Sequence, residues 1–204
     1  YRPVSQLASR IHELSVRSPD CCLGAVHLYY PHSYSLMHPV YSAVMCALTA
    51  QVLKYDRERI VSLCSAALTA NLGMYKFQDE LNQQKEPLDD KQKEKISQHP
   101  QRSTQMLQAT GLDNREWLDM VIQHHERDDC SGYPFGVNSD AIHPGSKIIS
   151  LADSYLAMIS DRAYRGAVQP SVALKKIYKL ANKDNPTSFL AFLKTLGVFP
   201  PGTF

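Results

Sequence analysis

The sequence predicts an all-α protein, a single helical bundle of about seven or eight helices. Apolar residues recur every three or four positions along most of the chain, which is the spacing that places them on one face of a helix. Asp, Asn, Gly and Pro residues interrupt this pattern at intervals typical of helix caps and short connections. The 204 residues are enough for one domain with a proper core.

The first half of the chain shows three helical patterns. Apolar spacing predicts helices over residues 3–17 and 39–54, and a third is expected between a cap at Asp56 and an end at Gly73. The apolar run CCLGAVHLYYP, between the first two, is interpreted as a strand or a linker. Residues 1–30 are therefore interpreted as an N-terminal helix and linker, a short extension that precedes the main domain over residues 31–204.

The second half begins with the polar segment FQDELNQQKEPLDD, which is interpreted as a loop. Asp89 or Asp90 is expected to cap the next helix, which carries Ile96 and His99 and is interrupted by Pro100. The remaining helices are expected from the Asn114 cap through REWLDMVIQHHE, from Pro144 to about residue 161, over 171–182 and over 187–196.

Composition argues against several classes of protein. The formal net charge is +2 and there is no run of Lys and Arg, so nucleic acid is not expected as a partner. No apolar stretch approaches the ~18–20 residues of a membrane span. The five cysteines form no C-x-x-C pair, a usage typical of the reducing cytoplasm, where we expect the protein to reside. Because the chain begins with Tyr1 and not with Met, we expect it to be cut from a longer protein.

Histidines and acids suggest a metal site. His124 and His125 follow Val121 by three and four residues, so both border the inward face of their helix. An isolated pair of this kind is more often a pair of packed histidines near a helix C-terminus. A metal needs further donors from other helices. Candidates on inward faces are His99 and Asp153, with His38 as an additional one; for each, the alternative is an ordinary buried polar group held by hydrogen bonds.

Two further segments carry candidate binding residues. SGYPFG is a turn in which Pro134 restricts Tyr133 and the flanking glycines allow tight bends. Arg162 and Arg165 in SDRAYR follow the helix that carries Asp153. They are either solvated surface charges or a clamp for phosphate, which arginine binds through two parallel hydrogen bonds.

Taken in order, these segments resemble the HD-GYP family, a branch of the HD phosphohydrolases. The matching strings are H-H-E-R-x-D-x-S-G-Y-P-x-G, then I-x-P, then A-D-x-Y-x-A-x-x-S-D-R-x-Y-R. The resemblance implies an HD-type helical bundle that binds two or three metals, usually iron or manganese, and hydrolyses cyclic di-GMP. It also implies partners among signalling proteins, including diguanylate cyclase-type domains. The final VFPPGTF resembles the start of the family's closing strand, so the domain is expected to be cut short there.

The chain departs from the family pattern at its metal positions. The family carries H-D-I-G-K at the end of the third helix, where this chain has ANLGM: Ala70 replaces the His, Asn71 the bridging Asp and Met74 the Lys. Tyr34 stands where some members place a Glu, and Cys130 replaces a Gly. Because His38 precedes Pro39, we expect it to be pushed away from helical backbone angles.

Three hypotheses follow. The first is a degenerate, non-catalytic module in bacterial cyclic di-GMP signalling that binds partner proteins, through Tyr133, and the nucleotide, through Arg162 and Arg165. The second is a metal-dependent cyclic di-GMP phosphodiesterase with a weakened or rebuilt site. The third is a structural domain that transmits a signal within a longer chain. Any metal is expected to be one weakly held divalent ion on the remaining ligands, His99, His124, His125 and Asp153, with His38 as the additional candidate.

Overall fold

The fold is given by a computed structural model, which describes residues 1–28, 33–161, 166–180, 187–197 and 200–201. Over these ranges it contains eleven α-helices, two short 3-10 helices (Leu72–Met74 and Ser139–Ala141) and no β-strand. The α-helices are α1 (Arg2–Arg17), α2 (Pro19–Leu28), α3 (Tyr34–Val52), α4 (Arg57–Thr69), α5 (Tyr75–Gln83), α6 (Asp90–Ser97), α7 (His99–Ala109), α8 (Arg115–Gln123), α9 (Pro144–Ile159), α10 (Pro170–Leu180) and α11 (Thr187–Leu196).

The predicted all-α bundle is confirmed, but the described residues form more helices than expected. The apolar run interpreted as a strand or linker lies largely in α2. The first half of the polar segment interpreted as a loop belongs to α5. The pattern around His99 is divided into α6 and α7 at Gln98. Helix α5 buries only Phe77 and Leu81, four residues apart, which is too short an apolar stripe to stand out among polar neighbours.

Side-chain caps begin several helices where the sequence predicts them. Asp56 accepts a hydrogen bond from the backbone N–H of Arg59 at 2.9 Å, and Asn114 caps α8 in the same way. Asp89 forms a capping box with Gln92 at the start of α6. These caps satisfy N–H groups that the helix itself leaves unpaired.

Helix α4 ends at Thr69 and not at Gly73, and the chain then turns tightly against α7. A Cβ atom on Gly73 would lie 2.6 Å from the carbonyl oxygen of His99, so only glycine fits there. The hydroxyl of Ser103 accepts the N–H of Gly73 at 2.9 Å and donates to the carbonyl of Ala70 at 2.7 Å. This close approach fixes residues 70–74 beside the first turn of α7.

Helix α3 is the centre of the bundle. Every residue from Tyr41 to Ala50 is buried, and the helix packs against α1, α4, α9 and α11. Ala43, Ala47 and Ala50 are fully buried, and their small side chains let neighbouring helices approach closely. The N-terminal part of α3 therefore meets α9 at a fixed position, which sets the distance between His38 and Asp153.

Pro39 lies inside α3, so the expectation that it displaces His38 from helical geometry is wrong. Proline lacks the N–H that would bond to the carbonyl of Ser35, one turn before it, so the helix loses a single hydrogen bond. The ring of His38 packs against that of Tyr34 with centroids 4.7 Å apart, and its Nε2 bonds to Asp153. These contacts outweigh the local preference of a residue that precedes proline.

Other expectations concern the ends of the chain and membranes. The division at about residue 30 stays a prediction, although α1 packs directly on α3 and α4. Of VFPPGTF, residues 198–199 and 202–204 lie outside the described ranges. In the part of the chain that the structure describes, no helix has both the length and the apolarity needed to cross a bilayer.

Candidate metal centre

Three histidines meet where the start of α7 faces the end of α8. His99 is the first residue of α7, and His124 and His125 directly follow α8. One ring nitrogen from each lies within 4.8 Å of the other two. The sequence pattern places His124 and His125 inside a helix over 115–126, whereas α8 ends at Gln123. We call His99, His124 and His125 the histidine group.

His99 and His124 face each other through nitrogens that both lack a proton. Nδ1 of His99 lies 2.6 Å from the carbonyl oxygen of Ile96, and Nδ1 of His124 lies 2.6 Å from that of Val121. Because a carbonyl only accepts, each Nδ1 carries the proton of its neutral ring and each Nε2 carries a lone pair. The two Nε2 atoms are 3.1 Å apart. Two lone pairs at this distance repel, so the arrangement favours a cation that binds both.

Burial keeps the histidine group neutral. Burial and the neighbouring His124 lower the pKa of His99 from 6.5 to about 3. Burial is also the main reason that the pKa of His124 is lowered and that of His125 lies well below its usual value. Neutral imidazole is the form that binds metals, so at neutral pH no proton has to leave before an ion binds.

Tyr133 closes one side of the histidine group. Its ring stacks on that of His125 with centroids 4.7 Å apart and planes inclined by 28°. Tyr133 belongs to the SGYPFG turn, but its ring does not stand at the tip of the loop. In the structure it lines a cleft of about 170 Å³ together with His99 and His125, and the ring that projects from the loop is that of Phe135, which is 57% exposed.

Asp153 lines the same cleft but is engaged by two other side chains. Its Oδ1 lies 2.8 Å from Nε2 of His38 and accepts a longer bond, 3.3 Å, from the amide nitrogen of Asn71. Burial opposes ionisation of this carboxyl, but the hydrogen bond and charge of His38 outweigh burial and hold the pKa of Asp153 well below its usual value. Asp153 is thus an ionised carboxylate that two neighbouring side chains hold by hydrogen bonds.

The positions that the resemblance assigns to a metal-bridging pair offer no charged donor. Ala70 is 1% exposed and packs in the apolar core, away from the cleft lining. Asn71 and Met74 line the cleft, but an amide and a thioether are poor substitutes for an aspartate and a lysine. The cleft is therefore lined by His99 and His125 of the histidine group and by the hydrogen-bonded carboxylate of Asp153.

Glu126 holds the loop that carries Tyr133. Its carboxylate is buried and accepts the backbone N–H groups of Phe135 at 2.7 Å and of Val137 at 3.2 Å. Gly132 lies so close to the preceding turn that a Cβ atom would stand 2.3 Å from the backbone nitrogen of Arg127. These contacts fix the loop against the residues that follow α8, which include the histidine pair.

Most of the chain matches one known family. Residues 22–185, well over half of the chain, match the family described as HD domain. This chain belongs to the HD domain family. The match includes the histidine group, Asn71 and Asp153, so the cleft lies within the matched part of the chain.

This HD domain is similar to two cyclic di-GMP phosphodiesterases. It is 27% identical over 198 residues to one from Pseudomonas aeruginosa, which covers 97% of this chain and 48% of that protein. It is 28% identical over 151 residues to PdeB from Borreliella burgdorferi, which covers 74% of this chain and 40% of that protein. The chain thus spans about half, or less, of the length of these curated relatives.

A solved structure shares the fold of this HD domain. The HDG"Y"P protein Bd1817 from Bdellovibrio bacteriovorus matches it with a TM-score of 0.66 and 17% sequence identity. The match covers 95% of this chain and 70% of that one. Together with the family match and the relatives, this likeness confirms the resemblance to HD-GYP proteins that the motifs predict.

Glu126 is a structural residue of this HD domain that the sequence motifs do not single out. Local rules could not have found it, because Glu126 accepts N–H groups nine and eleven residues later in the chain, farther than the local side-chain-to-backbone bonds of Asp, Asn, Ser and Thr extend. Conversely, Arg162 and Arg165 lie outside the residues that the structure describes, so their candidate role as a phosphate clamp stays a prediction.

Glu126→Ala is expected to lower the free energy of unfolding by about 2–4 kcal/mol, because it leaves two backbone N–H groups of a part-buried loop without an acceptor. Urea unfolding monitored by circular dichroism measures the change. Glu13→Ala is a matched control: Glu13 forms ion pairs with Arg10 and Arg57, but it is half exposed and such pairs contribute little. Equal effects of the two substitutions would contradict the role given to Glu126.

The metal-free HD domain is expected to lose stability as the pH falls from 7 towards 4. The histidine group has lowered pKa values, so below about pH 6.5 the unfolded chain binds protons that the folded chain does not. Each such histidine contributes a slope of up to about 1.4 kcal/mol per pH unit. Urea unfolding with a chelator, at several pH values, measures it. A His99→Gln variant should show a shallower slope, and an unchanged slope would count against the pKa of His99.

Proposed function

We propose that this HD domain is a degenerate, non-catalytic module in cyclic di-GMP signalling, which acts by binding proteins and the nucleotide. The observation that supports this most is the pair Ala70 and Asn71. Ala70 lies in the apolar core, and Asn71 donates its amide to Asp153. The relatives named as cyclic di-GMP phosphodiesterases suggest the nucleotide as the ligand class.

The loss of the bridging pair removes what two-metal catalysis needs. Hydrolysis of a phosphodiester by this route requires two ions ~3.5–4 Å apart. A bridging carboxylate holds such ions together because it has a negative charge and two oxygens. The amide of Asn71 is neutral and offers one acceptor, and the methyl group of Ala70 offers none. Even the loss of groups outside the ligand shell typically lowers metal affinity or activity ~10–100-fold, so the loss of two ligands should have a larger effect.

The proposed binding role uses the residues that still follow the family pattern. Arg162 and Arg165 would recognise phosphate oxygens of cyclic di-GMP. The loop that carries Tyr133 and Phe135 would contact signalling proteins, with diguanylate cyclase-type domains as the first partners to test. Because Tyr133 lines the cleft and Phe135 projects outwards, Phe135 is the better choice of residue for a partner contact on this loop.

Turnover of cyclic di-GMP tests the proposal. Protein supplied with Mn²⁺ or Fe²⁺ is expected to hydrolyse cyclic di-GMP at no more than about 1% of the rate of an intact HD-GYP enzyme, in keeping with the loss of two ligands. Calorimetry with tens of micromolar protein tests nucleotide binding separately. Metal-dependent turnover near that of the intact enzyme, abolished by His125→Ala, would overturn the proposal.

A second candidate function is a phosphodiesterase with a single-metal site. The histidine group supports it, because three neutral imidazoles lie together and two of them, those of His99 and His125, line the cleft. An ion held there would polarise a phosphodiester oxygen. Slow hydrolysis that requires one metal equivalent and is lost in His99→Ala would favour this function over the first.

A further inference from the structure

We propose that the histidine group is a site for one Zn²⁺ ion, and not for the iron or manganese that the resemblance implies. The inference deepens the proposed function, since it rests on the same loss of the bridging pair. It concerns which ion the remaining donors select. The donors are His99, His124 and His125, which offer three imidazoles and no carboxylate.

The type of donor is the first reason for zinc. Manganese prefers carboxylate and water oxygens, whereas imidazole suits both zinc and iron. Between these two, nitrogen sites bind zinc more tightly than ferrous iron. The nearby carboxylate is that of Asp153, whose Oδ1 is already engaged by His38 and Asn71. The position that could have supplied a second carboxylate holds Asn71. The shift from acids to imidazoles therefore moves the preference of the site away from manganese.

The second reason is that the donor rings are already oriented before an ion binds. The bonds from Nδ1 of His99 and His124 to backbone carbonyls fix which nitrogen faces the ion and how each ring is oriented. The two Nε2 atoms lie 3.1 Å apart, a separation that an ion with zinc–nitrogen bonds of ~2.0–2.1 Å spans without large movement. Stacking on Tyr133 holds the third ring. Little side-chain freedom is left to be lost when the ion binds.

The shape of the site is the third reason. Zinc in proteins commonly takes three side-chain ligands and keeps a fourth position for water or a ligand. His99 and His125 line the cleft, so a fourth position can face it, while His124 is fully buried behind them. Three donors match a four-coordinate ion better than a six-coordinate one, which would need three further ligands.

Metal titration of the chelator-treated protein tests the proposal without any assay of activity. We expect calorimetry to show one Zn²⁺ per chain, bound at least about 100-fold more tightly than Mn²⁺ or Fe²⁺. Substitution with Co²⁺ should give the intense visible absorption of a four-coordinate ion. Manganese or ferrous iron bound as tightly as zinc, or two zinc ions per chain, would overturn the proposal.

Variants identify the site. His125→Ala and His99→Ala should each weaken Zn²⁺ binding at least about 10-fold, and because His125 is less buried, its variant is the safer one for folding. His27→Ala is the control, since His27 bonds to Tyr155 outside the histidine group, and it should bind zinc as the parent does. Unchanged zinc affinity in folded His125→Ala and His99→Ala would overturn the site. The titration tests the metal and the turnover assay tests the proposed function, so either can fail alone.

Discussion

A variant with Ala70→His, Asn71→Asp and Met74→Lys is expected to bind an additional metal ion and to hydrolyse cyclic di-GMP at least about 100-fold faster than the parent. The new aspartate would stand beside Asp153, which already receives the amide of Asn71 at 3.3 Å, so an ion could bridge the two carboxylates. Metal analysis and turnover with Mn²⁺ measure the two effects. Circular dichroism checks folding, because the new histidine replaces a core alanine.

The single variant Asn71→Asp is the matched control for this restoration. Without Ala70→His it places a second carboxylate near Asp153 and supplies no second ligand. We expect it to melt at a lower temperature than the parent in the presence of a chelator and to gain little turnover, since the two like charges repel. If the triple variant folds but binds no more metal than the parent, the side chain introduced at position 70 stays in the apolar core where Ala70 packs, and the loss of the site extends to its backbone.

Trp117→Ala is expected to lower the free energy of unfolding by about 3–5 kcal/mol, the usual effect of removing a large buried aromatic ring. Trp117 is 3% exposed, and its indole N–H donates to the hydroxyl of Thr69 at 2.8 Å. It joins α8, which ends at the histidine pair, to the end of α4, which leads into residues 70–74. Urea unfolding measures the change, and zinc affinity should fall with it because the two helix ends lose their common contact.

Thr69→Val separates packing from the hydrogen bond in this contact. It keeps most of the side-chain volume and leaves the indole N–H of Trp117 without an acceptor, so we expect a loss of about 1–3 kcal/mol. A larger loss in Thr69→Val than in Trp117→Ala would show that the buried polar contact, and not ring packing, dominates the junction of α4 and α8.

The sequence could predict the helices whose caps and apolar stripes lie in neighbouring residues. Helix α8 has an Asn cap and a clear apolar stripe, and α9 begins at a proline that suits the first turn. The apolar residues of α2 show no such stripe, because a short helix with apolar residues on several sides has no polar face to reveal its period. A run of that kind fits a strand equally well, so only packing decides.

The candidate site was predictable as a set of residues but not as an arrangement. Spacing from Val121 and Ile96 indicates that the histidines face inwards, and the structure brings all three together. The pairing of His38 with Asp153 joins residues 115 positions apart, which local patterns do not reveal. The usual preference of a residue before proline for non-helical backbone angles also predicts the wrong geometry for His38. The stacking of Tyr133 on His125 depends on the path of a loop, which the motif does not specify.

The bonds from His38 and Asn71 to Asp153 also affect how the domain depends on the supply of metal. In a two-metal enzyme, clustered carboxylates repel one another once the ions leave, so starvation for iron or manganese weakens the fold as well as the activity. Here Asp153 supplies the one carboxylate among the described residues that line the cleft, and an imidazole and an amide of the same chain hold it by hydrogen bonds. We therefore expect the fold around the cleft to keep its shape and stability when these ions are scarce.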